Sequence, residues 1–272
     1  MGCIFGALLG GAYCFSVEQP NISIPYIGIG VFVLLIAILF SRVKLPEFVI
    51  EQKERKILNS QFSILNSKSG LLGQPMFLFG LFALFCYEVA EIAIASFYIN
   101  YATENNMAQW IGSFIENSFG AKLNPHFVAS IVLSAGLFLF MCSRFAGSSI
   151  MRFIQAEKVL FACAIGTVTM TALVLMDIHI VSFIASILIF VFEAIMFPTI
   201  FALSIKGLGR LTQKASAVLM MTPIGGAVGT VLMGIAADHR DMTFSFLVPL
   251  VAFIIILIYA LAILRKKSAI ES

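Results

Sequence analysis

Charge is what this chain has least of. Of its 272 residues only 11% are Asp, Glu, Lys or Arg, while 60% are apolar and the mean hydropathy is +1.03. A soluble domain of this length needs far more charge to cover its surface. Histidine is scarce too, with three residues, and no Ser/His/Asp set, metal-ligand cluster or phosphate-cradling glycine loop can be assembled from the sequence. An enzyme is therefore not expected, and neither is a metal or an organic cofactor. The five cysteines (Cys3, Cys14, Cys86, Cys142, Cys163) all lie in apolar runs. Their odd number and spacing fit neither a zinc site nor a disulfide framework, so they read as small packing residues. The N-terminal stretch lacks the basic segment of a signal peptide, and Gly6 stands where a myristoylation signal needs Ser or Thr. The net charge of +3 implies no nucleic-acid partner, because the basic residues sit in short loops between apolar runs.

What is present is a series of uncharged runs near the roughly 20 residues that cross a bilayer as a helix. Residues 1–17 are apolar but short, the remnant of a span. Residues 26–40 form a run closed by Arg42 and Lys44. Residues 42–74 are the longest polar stretch, a linker with room for one amphipathic helix at the membrane surface. Further spans are expected at about 75–102, 126–142, 159–176, 178–205 (interrupted by Pro198), 215–237 (containing Pro223) and 243–264. Residues 103–125 read as polar and 143–158 as a basic loop. This gives one partial and seven full spans. Fifteen lysines and arginines fall in one set of alternate loops and only Lys122 and Arg240 in the other. That asymmetry predicts a cytoplasmic linker and C-terminus. Asn21-Ile22-Ser23 matches a glycosylation sequon on the outer side, but its loop hugs the membrane and occupancy is not expected.

Three acids lie inside spans: Glu88, Glu91 and Glu193. A charged side chain at the bilayer centre costs about 2.5–3.5 kcal/mol on insertion scales, so such residues face a cavity, a partner or a proton path. Glu88 and Glu91 are three apart and share a helix face. A substrate or proton site and a protonated carboxyl bonded to a neighbouring helix are both open readings. No basic residue falls in an expected span core, which leaves titratable carboxyls or the hydroxyls of a bound substrate as partners. Carboxylates with aromatics in a wet cavity suit a neutral polyol. Phe97, Tyr98, Asn100 and Tyr101 continue the 75–102 helix outward, either as substrate-facing groups or as an interfacial aromatic belt. Pro198 and Pro223 free backbone carbonyls within spans, as helices beside transporter sites often do. Gly225, Gly226, Gly229 and Gly234 form a small-residue stripe suited to close helix packing. His126, His179 and His239 fall at span ends and read as solvated.

Four stretches carry a family resemblance. The string from Phe192 to Thr212, containing FPTIFAL and IKGLGR, resembles the tenth-helix signature of the fucose–galactose–glucose:proton symporters, a subfamily of the major facilitator superfamily. FCYEVAEIAIASFYINYA (Phe85 to Ala102) is similar to the seventh helix of that family, SRFAGSSIMRF (Ser143 to Phe153) to its loop between helices eight and nine, and SAVLMMTPIGGAVGTVLMGIAAD (Ser216 to Asp238) to its eleventh helix. Val43-Lys44-Leu45-Pro46-Glu47 resembles the exit of its sixth helix.

The resemblance implies an all-α membrane protein: the C-terminal six-helix half of such a transporter, plus helix six and part of helix five. Residues 1–43 would end the N-terminal half, 44–74 would be the cytoplasmic central linker, and 75–272 the C-terminal half. Helices seven and ten would line the cavity, so Glu91, Asn100 and Glu193 would face the sugar beside Phe197; Glu88 has no expected counterpart in the family and joins them as a substrate-facing candidate only through its place one turn from Glu91. Arg144 would belong to a cytoplasmic gating loop, and Pro198, Pro223, Gly225 and Gly226 to the parts that move. The implied function is transport of a fucose-, galactose- or glucose-like hexose, with a proton as coupling ion in the full-length protein. Its partners would be the sugar, the lipid bilayer of the plasma membrane and a missing N-terminal half, the chain being the product of a truncated gene. Two alternatives stay open: the same fold carrying another neutral or cationic small molecule, and a non-transporting half-size membrane protein.

Overall fold

The computed structural model describes residues 13, 23–42, 71–120 and 123–271. Every regular element among them is helical. The expected partial span over 1–16, most of the 44–74 linker, the sequon asparagine and Lys122 lie outside the described residues.

Local chemistry sets the boundaries. Helix α1 (Ser23–Arg42) carries the apolar run 26–40 and ends at its arginine. Helix α2 (Pro75–Glu104) starts with proline at its first position, where the missing N–H costs nothing. The polar stretch after it contains an unexpected helix, α3 (Met107–Phe119). It is framed by two left-handed residues, Asn106 (φ 56°) and Gly120 (φ 69°), buries Met107 and Ala108, and leaves Trp110 and Phe114 exposed. Helix α4 (Pro125–Ile150) is capped by Asn124, whose side chain accepts from the His126 N–H at 3.0 Å.

Helix α5 (Ala156–Leu175) turns sharply into α6 (His179–Glu193). Asp177 takes φ 50° there, and Ser182 Oγ closes the turn, accepting from the Ile178 N–H at 2.8 Å and donating to the Leu173 carbonyl at 2.9 Å. After a break at 194–195 comes α7 (Met196–Ile205), then α8 (Thr212–Leu219), α9 (Ile224–His239), a short α10 (Met242–Ser245) and α11 (Leu247–Glu271).

With breaks joined, six segments among the described residues are long and apolar enough to cross a membrane: Pro75–Glu104, Pro125–Ile150, Ala156–Leu175, His179–Ile205, Thr212–His239 and Met242–Lys266. They coincide with the six expected spans after residue 74. Two boundaries differ. Residues 143–150, expected as loop, continue α4 as helix, because SRFAGSSI contains no proline and its one glycine serves packing. The interruption of the fourth segment falls at 194–195, not at Pro198 itself. A proline removes the donor for the carbonyl four residues earlier, so the disruption lands one turn upstream.

Helix α2 is the hub. Helices α9 and α11 pack along it, with α4 and α7 on other sides, and α11 also packs on α5. The α2–α9 contact depends on glycine: a Cβ at Gly225 would lie 2.6 Å from the Phe85 carbonyl oxygen, and one at Gly229 would overlap the Val89 backbone. At the α11 side, Ser204 and Tyr259 hydroxyls meet at 3.1 Å against Gly80. One end of the bundle is tied by Glu104 Oε1, which accepts from the Met242 N–H at 3.2 Å, and by Asn105 Nδ2, which donates to Thr243 Oγ1 at 2.9 Å. The opposite end is tied by an ion pair of Lys206 Nζ with buried Glu157 at 3.1 Å.

Candidate functional site

A cavity of about 480 Å³ opens between α2, α4 and α6, within the roughly 300–1,000 Å³ typical of small-molecule sites. Helix α2 contributes Glu88, Glu91, Ile92, Ala95 and Ser96. Their spacing of three and four places them on one face, so the fold turns a sequence stripe into a wall. Helix α4 supplies Leu133, Leu137 and Phe140, and α6 supplies Phe190 and, as its last residue, Glu193.

Glu193 sits at the back of the cavity with none of its surface exposed. Both its carboxylate oxygens are buried and have no hydrogen-bond partner among the described residues. The Tyr87 hydroxyl beside it is also buried, and its nearest protein partner is Glu91. Tyr87 comes one residue before Glu88 and turns toward Phe197, their ring centroids 5.9 Å apart. Two unsatisfied acceptors at one buried spot are costly unless a ligand completes them.

The expectation that the acids have no basic neighbour is corrected. Because α4 runs on through residue 150, Arg144 is a helix residue and lies within electrostatic reach of Glu88, Glu91 and Glu193. Its Nε donates to the Ala194 carbonyl at 3.0 Å, and its guanidinium lies 4.7 Å from the Phe140 ring centre. Next to it, Ser143 Oγ donates to the Val191 carbonyl at 2.8 Å. The Arg144 bond lands on the helix break, and the Ser143 bond on the last turn of α6 before it. Arg144, Phe197 and Pro198 line a smaller adjoining recess of about 220 Å³.

The other candidate residues are distributed unevenly. Asn100 is exposed, one turn beyond Ser96 along the same α2 face, and does not line the cavity. Gly225 and Gly226 lie in the α2–α9 contact, and Pro223 stands at the start of α9. Tyr98 and Tyr101 are not an interfacial belt. Both are fully buried, Tyr98 bonding Ser186 at 3.2 Å and packing 5.6 Å from Phe190, and Tyr101 packing with its ring tilted against Phe246 at 4.7 Å. They hold up the cavity wall from behind. Sequence reasoning missed Tyr87, Ser96 and Phe190. The α2 stripe could have found Ser96, four residues beyond Ile92. Tyr87 and Phe190 carry no signal that separates them from core aromatics.

Over 88% of its length this chain superposes on the crystal structure of FucP, a major facilitator superfamily transporter in the outward conformation, with a TM-score of 0.62 and 26% identity, covering 54% of FucP. The fold is the C-terminal half of the major facilitator superfamily. No family model matches the chain. Its sequence relatives are sugar transporters. It is 30% identical over 255 residues to a protein of Helicobacter pylori named for glucose/galactose transport, covering 90% of this chain and 55% of that one. It is 30% identical over 241 residues to the L-fucose-proton symporter of Escherichia coli, covering 88% of this chain and 51% of that one. The resemblance to the fucose–galactose–glucose symporters is thereby borne out, and these relatives are transporters rather than enzymes. The chain spans about half the length of the curated relatives it matches.

Proposed function

We propose that this chain forms the sugar-facing wall of a hexose or deoxyhexose transporter, with proton coupling arising when this half works opposite an N-terminal half. The carrying observation is the pair of buried Glu193 oxygens at the cavity, which have no hydrogen-bond partner among the described residues. A sugar hydroxyl donates to a carboxylate, so a polyol completes both oxygens at once. The apolar remainder of the wall, Ile92, Leu133, Leu137, Phe140 and Phe190, suits the C–H faces of a pyranose.

Glu88 and Glu91 line the open part of the same cavity and bind further hydroxyls. Arg144 offsets part of the negative charge, so the site favours a neutral ligand over a dication. The relatives named as glucose/galactose transporter and L-fucose-proton symporter support the choice of sugar. The basic-residue asymmetry supports a cytoplasmic Lys206 and C-terminus, and the plasma membrane is the location that the family resemblance implies. Alternating access would rock this half against its opposite around the cavity.

Three acids at one cavity also favour a second reading, an organic cation as cargo. Uptake of labelled L-fucose, D-galactose and D-glucose into cells expressing the protein separates the two. Saturable uptake of one of these sugars, insensitive to amines, is expected. Uptake of an amine with no hexose transport would overturn the sugar assignment.

A further inference from the structure

Pro198 carries no N–H, so the carbonyl it would serve in a continuous helix, that of Ala194, loses its donor. At membrane depth a carbonyl cannot turn to water for one. The donor comes from another helix: Arg144 Nε reaches the Ala194 oxygen at 3.0 Å. Ser143 Oγ serves the Val191 oxygen three residues earlier at 2.8 Å. One turn along α4, Gly147 leaves the space that the Ile195 side chain fills, and a Cβ there would overlap it. Three residues of α4 thus match three consecutive features of the break, and Glu193 lies between the two carbonyls that are held.

We propose that Arg144 is a positioning residue for the cavity: it replaces the donor that Pro198 withholds, fixes the break at 194–195, and so directs the Glu193 side chain toward the ligand space. This rests on the reading of Glu193 as a cavity wall. Its distinguishing consequence is conditional. Arg144 matters because position 198 is proline, and restoring an N–H at 198 makes it dispensable for the geometry of the break. A role through charge alone, toward Glu88, Glu91 and Glu193, would not depend on residue 198.

The test is amide hydrogen exchange by mass spectrometry on the purified full chain, following peptides that cover residues 194–200. The Thr199 N–H, bonded to the Ile195 carbonyl at 3.3 Å, reports the turn directly. Arg144→Gln is expected to speed exchange there by about five- to tenfold, the scale of one lost hydrogen bond. In the Pro198→Ala background the same substitution is expected to change it by less than about twofold, a non-additivity that marks direct coupling. An equal acceleration in both backgrounds, or none in the parent, overturns the proposal. If Arg144→Gln alone does not yield folded protein, size-exclusion chromatography of the double variant decides: a monodisperse peak supports the coupling, and aggregation contradicts it. No sugar enters the measurement, so failure of the hexose assignment leaves its outcome readable.

Discussion

Glu193 is where the chain's chemistry concentrates: a carboxyl group with no exposed surface and no hydrogen-bond donor among the described residues. Replacing it with glutamine keeps the shape and removes the charge. A hydrogen bond to a charged group contributes about 1.5–3 kcal/mol, so Glu193→Gln is expected to weaken hexose binding by about 10- to 100-fold. Tyr87→Phe, which deletes a neutral hydroxyl, should weaken it by about 2- to 10-fold. Equilibrium dialysis with labelled sugar checks both. The three acids were legible in the sequence because an acid in an apolar run is rare. Tyr87 was not, since nothing distinguishes it from the other aromatics of a chain with 27 phenylalanines. Arg144 was legible as a residue but misplaced. Charge marked it as loop, while the structure makes it an exposed helix residue within electrostatic reach of the cavity acids.

At the scale of elements, the prolines announced broken spans but not where the breaks fall. Pro198 acts on Ala194, a displacement that follows from helical hydrogen bonding and becomes visible only when another helix is seen supplying the donor. The amphipathic α3 stayed hidden because its apolar residues are interleaved with polar ones and form no continuous apolar run. The glycine stripe was read correctly as a packing device, and its members are unequal. A Cβ at Gly229 collides with the Val89 backbone, whereas one at Gly234 meets only the Phe97 ring tip at 3.4 Å. Gly229→Ala should therefore destabilise the bundle by about 1–3 kcal/mol, the usual scale of overpacking. Gly234→Ala should be near neutral. Thermal unfolding in detergent, followed by thiol-reactive dye at buried Cys86 and Cys163, separates the two.

Over the whole molecule, the run lengths and charge alternation of the sequence suffice to set out six spans after residue 74, because bilayer thickness and the positive-inside bias act on composition alone. The pairing of those spans around α2 was beyond composition, since it depends on which apolar face carries glycine. Sidedness has its own test. Single cysteines placed by Arg240→Cys and Lys266→Cys in a background lacking the native cysteines should label from opposite sides of the membrane, the first from outside cells and the second only after permeabilisation. The central claim is that the cavity walled by Glu88, Glu91 and Glu193 takes a hexose. Direct binding of labelled L-fucose, D-galactose and D-glucose to the purified chain, compared with Glu193→Gln, tests it most directly. The account predicts saturable binding of at least one of the three and its loss in the variant. Binding unchanged by Glu193→Gln, or no binding of any of the three, would contradict it.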